Sequence, residues 1–195
     1  MNSKLVTIFR QSAKNCKNTR ALALSALFVG IIITLDLLNV RLQITPELRI
    51  TFDYLFSSSI GMLFGPVLGI MSGFCSDFLG YLMNSGGGAY FPGYTITSMV
   101  GGLIYGVMLY YPPKENKAFL IRCLITKGLI NLICNIGLNT FWLSMTGGQA
   151  MTALLPLRLI KNLALWIPES LLLYFILTGV RQISRQFASV RREEL

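Results

Sequence analysis

Apolar segments follow one another almost without a break between residues 21 and 180, and this constrains the fold more than any other feature of the sequence. Of all residues 53% are apolar and only 13% are charged, whereas soluble domains carry about 25% charged residues. A soluble domain of 195 residues cannot bury so much apolar surface. The sequence therefore predicts an all-α integral membrane protein.

Six apolar segments are long enough to reach across or deep into a bilayer. They cover residues 21–40, 52–64, 67–83, 93–111, 118–145 and 153–179. The second is short and ends at the turn signal Gly65-Pro66, so it forms with the third either a helical hairpin or one short, partly inserted helix. The predicted organisation is a basic tail over residues 1–20, a six-helix membrane domain over 21–180 and a second basic tail over 181–195.

The distribution of Lys and Arg predicts the orientation of these helices. With six crossings, both tails and the link at residues 114–117 lie on one side, which holds most of the cations. The opposite side holds Arg41, Arg49, Arg158 and Lys161. The positive-inside rule therefore places both termini in the cytoplasm. The polar loop at 41–51, the glycine-rich loop at 85–95 and the loop at 146–152 then share the outer face and can form one mouth.

The loop at residues 85–95 reads Ser-Gly-Gly-Gly-Ala-Tyr-Phe-Pro-Gly-Tyr-Thr. Its glycines allow a backbone to approach a ligand closely, and Pro92 fixes a turn. Tyr90, Phe91 and Tyr94 offer flat faces to a flat ligand. The alternative is an interfacial aromatic belt on a flexible loop.

A polar stripe runs along the fifth segment. Lys127, Asn131, Asn135 and Asn139 are spaced by four residues, and Trp142 extends the stripe by three. Exposing amides to lipid is costly, so the stripe is expected to face the bundle interior or a cavity. Alternatively, the amides hydrogen-bond neighbouring helices, and Lys127 snorkels to the cytoplasmic interface.

Arg158, Lys161 and Asn162 share one face of the sixth segment. Two cations and an amide there can hold a carboxylate, Arg158 by a bidentate fork. Snorkelling, or pairing with Asp53 or Asp77, is the alternative.

Asp77 is an intramembrane carboxylate in the third segment, and such groups are functional candidates. It can accept hydrogen bonds from the N–H groups of a heterocycle, or serve as a structural partner of Arg158 or Lys161. Asp36 and Glu169 lie near helix ends, and no functional role is predicted for either residue.

Several classes of chemistry find no support in the sequence. Histidine is absent, and the four cysteines show no Cys-x-x-Cys spacing, so neither a metal site nor an enzyme is expected. The sequence also lacks the Gly-x-x-x-x-Gly-Lys-Ser/Thr phosphate loop, so the chain is not expected to hydrolyse ATP itself. In the first segment, Ala26 and Gly30 make a small-xxx-small step that would allow a partner's helix to dock closely.

Four sequence motifs together carry a family resemblance. They are Gly61-Met62-Leu63-Phe64-Gly65-Pro66, Asp77-Phe78-Leu79-Gly80-Tyr81, Tyr90-Phe91-Pro92-Gly93-Tyr94-Thr95 and Leu155-Pro156-Leu157-Arg158-Leu159-Ile160-Lys161-Asn162. With these motifs the chain resembles the substrate-binding subunits (S components) of energy-coupling factor (ECF) vitamin importers, and most of all the folate-specific members. The likeness extends over nearly all of residues 21–179. The third and fourth motifs, with the patterns Tyr-Phe-Pro-Gly-Tyr-Thr and Pro-x-Arg-x-x-Lys-Asn, are its more specific signals.

The resemblance implies a six-helix S-component fold in the cell membrane of a prokaryote, with cytoplasmic termini and a high-affinity site near the outer face. It implies partners, namely a transmembrane coupling subunit and two cytoplasmic ATPases that use the ATP, and no cofactor in this chain. The family's Ala-xxx-Ala docking motif corresponds to Ala26-xxx-Gly30, where the second position departs to glycine.

Folate chemistry suits the candidate residues. Its rings need flat partners, its pterin edge needs hydrogen-bonding groups, and its glutamate carboxylates need cations. The resulting candidate ligand-binding residues are Arg41, Asp77, Tyr90, Phe91, Pro92, Tyr94, Thr95, Asn135, Asn139, Trp142, Arg158, Lys161 and Asn162. The alternatives are an S component for another heterocyclic vitamin and a standalone small secondary transporter.

Overall fold

The computed structural model describes residues 2–43, 49–83, 89–147 and 151–193. Within these ranges the regular structure is helical except for one short ribbon of two strands. The elements are α1 (Asn2–Asn15), α2 (Thr19–Leu37), β1 (Arg41–Gln43), β2 (Arg49–Thr51), α3 (Asp53–Phe64), α4 (Pro66–Met83), α5 (Pro92–Leu109), α6 (Asn116–Ile130), a π-helical segment (Asn131–Leu138), α7 (Asn139–Gly147) and α8 (Met151–Glu193).

Four helical stretches in the described part are long and apolar enough to cross a membrane. They are Thr19–Leu37, Pro66–Met83, Asn116–Thr146 and Arg158–Ile183. By contrast, α3 has 12 residues and is about 18 Å long, shorter than the ~30 Å hydrocarbon core. The fold is that of a helical membrane protein. That the chain crosses the membrane six times and has both termini in the cytoplasm stays a prediction.

The turn between α3 and α4 lies at Gly65-Pro66, where the sequence predicted it. Gly65 has φ +88°, in the region that favours glycine, and Pro66 begins α4. A side chain at Gly65 would also meet the hydroxyl of Ser12, which lies 2.7 Å from the Cβ position. The helices α3 and α4 pack against each other, as the hairpin alternative expects.

The closest helix pair is α4 with α5, and small residues make this closeness possible. A Cβ on Gly102 would lie 2.0 Å from the carbonyl oxygen of Gly69, and one on Gly73 would lie 2.4 Å from that of Ser98. The two backbones therefore touch directly, as in other membrane bundles. This contact places the amino end of α5 beside the second half of α4, where Asp77 lies.

Two apolar clusters surround this pair. One joins α3, α5, α6 and α8 around residues such as Leu109, Phe119 and Leu173. The other joins α2, α3 and α4 around Ile33 and Ile60.

Three segments differ from their predicted form. Residues 41–51, predicted as a polar loop, contain an antiparallel ribbon in which Arg41 pairs with Thr51. The basic segment 1–20 contains α1, because its apolar residues recur at helical spacing. The helix α8 continues past residue 180, and Arg181 is buried there, with hydrogen bonds to Pro113 O (3.0 Å) and Asn116 Oδ1 (2.7 Å).

Candidate functional site

A cavity of about 740 Å³ lies between the helices and has contributions from α2 through α8. This volume falls in the range of small-molecule sites, ~300–1,000 Å³. Among the predicted ligand-binding residues, those that line it are Asp77, Tyr94, Asn135, Asn139, Arg158, Lys161 and Asn162. The fold therefore brings together side chains from α4, α5, α7, α8 and the π-helical segment.

A second cavity of about 370 Å³ adjoins the first, because both are bordered by Asp36, Ser76, Asp77 and Tyr94. Residues of the aromatic loop that border it include Tyr90 and Phe91. The aromatic residues Tyr90 and Phe91 border only the smaller space, whereas the α8 cations Arg158 and Lys161 border only the larger one.

Asp77 is held by a hydroxyl chain that links α4 to the loop. The Thr95 hydroxyl donates to Asp77 Oδ2 at 2.5 Å. Since that uses the only hydroxyl proton of Thr95, the Tyr90 hydroxyl, 2.6 Å away, must donate to Thr95. Tyr90 in turn packs edge-on against Phe78, with 5.7 Å between ring centroids. The partner of Asp77 is thus Thr95, and its carboxylate is oriented at the junction of the two cavities.

Phe91 and Trp142 pack edge-to-face over the start of α5. Their centroids are 5.6 Å apart, and a Cβ on Gly93 would come within 2.3 Å of the Phe91 ring and 2.6 Å of the Trp142 ring. The Trp142 indole also donates to Thr97 Oγ1 at 3.1 Å. Pro92 is the first residue of α5, where the missing N–H of proline costs no helical hydrogen bond. These contacts fix the aromatic loop on the bundle.

The amide stripe divides between the two roles that the sequence left open. Asn131 is buried and donates to Asn162 O at 3.2 Å, so it joins the π-helical segment to α8. Asn135 donates to Asn131 Oδ1 at 3.0 Å, and both Asn135 and Asn139 border the cavity. In an α-helix, positions four apart advance by about 40°. The wider π turns reduce that advance and keep the stripe in line.

The cations of α8 border the cavity, and Arg158 also contacts this stripe. Arg158 Nη1 donates to Asn135 O at 3.3 Å, and Asn162 Nδ2 donates to Arg158 O at 2.9 Å. Lys161 is half-buried and borders the same space. Their positions match the predicted shared face, and both cations border the large cavity.

The structure reveals a buried ion pair that the sequence analysis missed. Lys127 is 3% exposed, its Nζ lies 3.1 Å from Glu169 Oε2, and it stands 3.6 Å above the ring of Tyr54. The snorkelling alternative for Lys127 is therefore wrong, and Glu169 has a clear structural role. Both residues border the large cavity. The sequence held one signal of this pair. The carboxylate of Glu169 follows Pro168 in an apolar run, and a buried charge needs a partner.

The predicted docking residues lie on α2, and the predicted ligand-binding residue Arg41 lies on β1. Ala26 and Gly30 are both exposed on α2, and nothing lies within 4 Å of a Cβ at Gly30, so this small-residue step is open for contact. Arg41 contributes its backbone to β1, but its side chain lies outside the part of the chain that the structure describes.

The helical bundle and its polar internal cavity define an integral membrane protein with space for a small solute. A family model for "ECF transporter, substrate-specific component" matches residues 20–177. The chain belongs to this family.

Named relatives agree with this assignment. A protein named folate transporter FolT from Clostridium novyi (strain NT) is 36% identical over 76% of this chain and 84% of its own length. A protein of the same name from Leuconostoc mesenteroides subsp. mesenteroides is 30% identical over 83% of this chain and 86% of its own. The fold matches the crystal structure of FolT bound with folic acid at a TM-score of 0.69 and 26% identity, over 82% of this chain and 93% of the other.

Proposed function

We propose that this chain binds folate in the two adjoining cavities and serves as the folate-specific S component of an ECF-type ABC importer. One observation carries the proposal: a cavity of about 740 Å³ is lined by the Arg158 and Lys161 cations and by Asp77, which also borders the adjoining space with aromatic residues. Folate has the same asymmetry, with two carboxylates at one end and a flat hydrogen-bonding heterocycle at the other. The names of the relatives and the folic acid in the matching FolT structure support the same ligand.

The proposed site assigns each end of folate to groups of matching chemistry. The pterin lies between Tyr90 and Tyr94, and its N–H groups donate to the Asp77 carboxylate, which Thr95 orients. Asn135 offers further hydrogen bonds along the middle of the molecule. Amides suit this position because each can donate and accept.

The glutamate end lies at α8. Arg158 and Lys161 bind its carboxylates by charge-assisted hydrogen bonds, which are stronger than neutral ones. Asn162 and Asn139 border the same region of the cavity and complete the polar lining. Arg41, in the loop predicted to face outward, is a further candidate partner for a carboxylate, and Phe91, Pro92 and Trp142 hold the aromatic loop in the binding position.

Transport requires partners, because binding alone does not move the vitamin across the membrane. In this proposal both termini are cytoplasmic, the cavity opens toward the outer face of a prokaryotic cell membrane, and the six predicted segments form the membrane domain. A coupling subunit docks at Ala26 and Gly30, and two ATPases supply the energy. The chain itself carries no cofactor and catalyses no reaction.

Two ligands that differ only at the glutamate test the assignment of the cations. Replacing Arg158 with Gln removes the charge-assisted hydrogen bonds, so the affinity for folate is expected to fall by about 10- to 100-fold, from ~1.5–3 kcal/mol. The affinity for pteroate, which lacks the glutamate, is expected to stay within a factor of about two. Isothermal titration with both ligands measures the difference.

Lys117→Gln serves as the control, because Lys117 is exposed in the first turn of α6. An equal loss of affinity for folate and pteroate in Arg158→Gln would overturn the assignment of Arg158 to the glutamate. It would not overturn the proposal that the chain binds folate. Absence of binding for either ligand in the unaltered chain would reject the proposed function.

A further inference from the structure

The first helix, α1, is pinned to the bundle by one strip of polar residues. The hydroxyl of Ser12 donates to Phe64 O and accepts from Val67 N, both at 2.9 Å. Asn15 Nδ2 donates to Phe64 O at 3.0 Å. This bundle strip places α1 against the joint between α3 and α4, and Ser12 is completely buried there.

A second strip of α1 is apolar and uncovered. Leu5 is 40% exposed, Val6 64% and Phe9 37%, and the exposed Ala13 continues the line by one turn. These residues follow helical spacing, so they lie on one side of the helix. This apolar strip flanks the bundle strip.

A third strip is cationic. Arg10 and Lys14 are one turn apart, Lys17 follows in the turn after α1, and all three are exposed. At ~100° per residue, this cationic strip lies beyond the apolar strip and away from the bundle. The sequence of α1 contains no acidic residue. The helix thus presents protein, apolar and cationic contacts in three different directions.

We propose that α1 lies in the membrane interface, with its apolar strip among the acyl chains and its cationic strip on anionic phospholipid headgroups. Amphipathic helices with cations beside an apolar face bind bilayers in this way. The next helix in the chain, α2, is a candidate membrane span on which Leu22 and Leu24 are exposed. The proposal does not depend on the ligand in the cavity.

Charge favours lipid over a second copy of this chain as the occupant. Two copies that met through their apolar strips would bring two cationic strips together, and nothing acidic in α1 would offset the repulsion. An anionic bilayer satisfies both strips at once. α1 then acts as a membrane-bound brace on the α3–α4 joint.

Site-directed spin labelling of the full chain tests the proposal. Single cysteines replace Val6 in one variant and Lys14 in another, in a background where the partly exposed Cys16 and Cys75 are serine. The chain is reconstituted in phosphatidylcholine vesicles with or without phosphatidylglycerol. The Val6 label is expected to be accessible to oxygen and protected from a water-soluble nickel chelate, and the Lys14 label is expected to be accessible to the chelate.

Charge reversal shows whether the anionic headgroups matter. Arg10→Glu/Lys14→Glu is expected to abolish the increase in protection of the Val6 label that phosphatidylglycerol produces. The control Lys114→Glu/Lys117→Glu changes net charge equally, in the exposed α5–α6 link and the start of α6, and is expected to retain it. A Val6 label open to the chelate would place α1 in water, and one closed to both reagents would place it against protein. Either result would overturn the proposal, as would equal effects of the two charge reversals.

Discussion

At the scale of single residues, charge burial is the dominant feature of this site. Lys127 and Glu169 are removed from solvent together, and the ammonium also lies over the ring of Tyr54. Such a pair offsets the desolvation cost of each charge, but removing one member leaves the other unpaired. Because both border the large cavity, the pair also fixes the shape and charge of that wall.

Lys127→Met is therefore expected to destabilise the protein by about 3–5 kcal/mol, since Glu169 loses its counter-charge. The double variant Lys127→Met/Glu169→Gln is expected to recover most of that loss. The free energy of unfolding in mixed detergent micelles measures both. Lys117→Met, on the exposed side of the same helix, is the control and is expected to change it by less than about 0.5 kcal/mol. Equal effects of Lys127→Met and the control would contradict the structural role.

At the scale of helices, the direct contact between α4 and α5 positions the binding groups. Asp77 comes from α4 and its partner Thr95 from α5, so their 2.5 Å hydrogen bond depends on how closely the helices approach. Gly69 and Gly102 set that approach, since their backbones touch. A change there is expected to alter both stability and the orientation of Asp77.

Two neighbouring glycines of α5 provide a matched test of this packing. A Cβ at Gly102 would lie 2.0 Å from Gly69 O, whereas one at Gly101 would first meet Ile130 at 4.0 Å. Gly102→Ala is expected to cost about 1–3 kcal/mol by overpacking. Gly101→Ala is expected to be neutral or to gain up to about 1 kcal/mol from helix propensity. Thermal unfolding in detergent compares them, and equal shifts in midpoint would show that the helices do not need this contact.

Much of the helical arrangement was predictable because it follows from local pattern. The Gly65-Pro66 turn lies where turn chemistry placed it, and α5 begins at Pro92, next to the predicted start at residue 93. Asn135 borders the cavity, in agreement with one of its two predicted roles. In contrast, nothing local distinguishes the π-helical segment from an α-helix. The β1–β2 ribbon was also missed, because three-residue strands leave little alternation to detect.

Long-range contacts account for the remaining differences. The partner of Lys127 lies on α8, far along the chain, so the sequence could not pair it with Glu169. Ser12 is a polar residue in a basic segment, and only the fold shows that it caps the α3–α4 joint. Arg181 counted as a cation of the carboxyl tail, yet it is buried against Phe119.

At the scale of the whole molecule, we propose that folate capture and energy coupling use different parts of the protein. The cavity lies inside the bundle, while Ala26 and Gly30 lie on its exterior. A chain that needs external ATPases is expected to bind folate alone but to transport it only in the assembled importer.

Ala26→Leu/Gly30→Leu is therefore expected to leave the folate affinity unchanged and to lower ATP-dependent uptake at least about tenfold, which corresponds to ~1.4 kcal/mol of lost docking energy. The bulky side chains prevent close approach of a partner's helix. Uptake is measured in vesicles that contain this chain, the coupling subunit and both ATPases. The same substitutions on another helix, Ala164→Leu/Gly179→Leu, provide the control. Unchanged uptake in the α2 variant would place the docking surface elsewhere.

Equilibrium titration of the purified chain with folate shows whether this chain is a folate-binding subunit. We expect tight binding of one folate per chain that excess riboflavin, thiamine or biotin does not displace. The absence of folate binding, together with tight binding of one of the other vitamins, would contradict it.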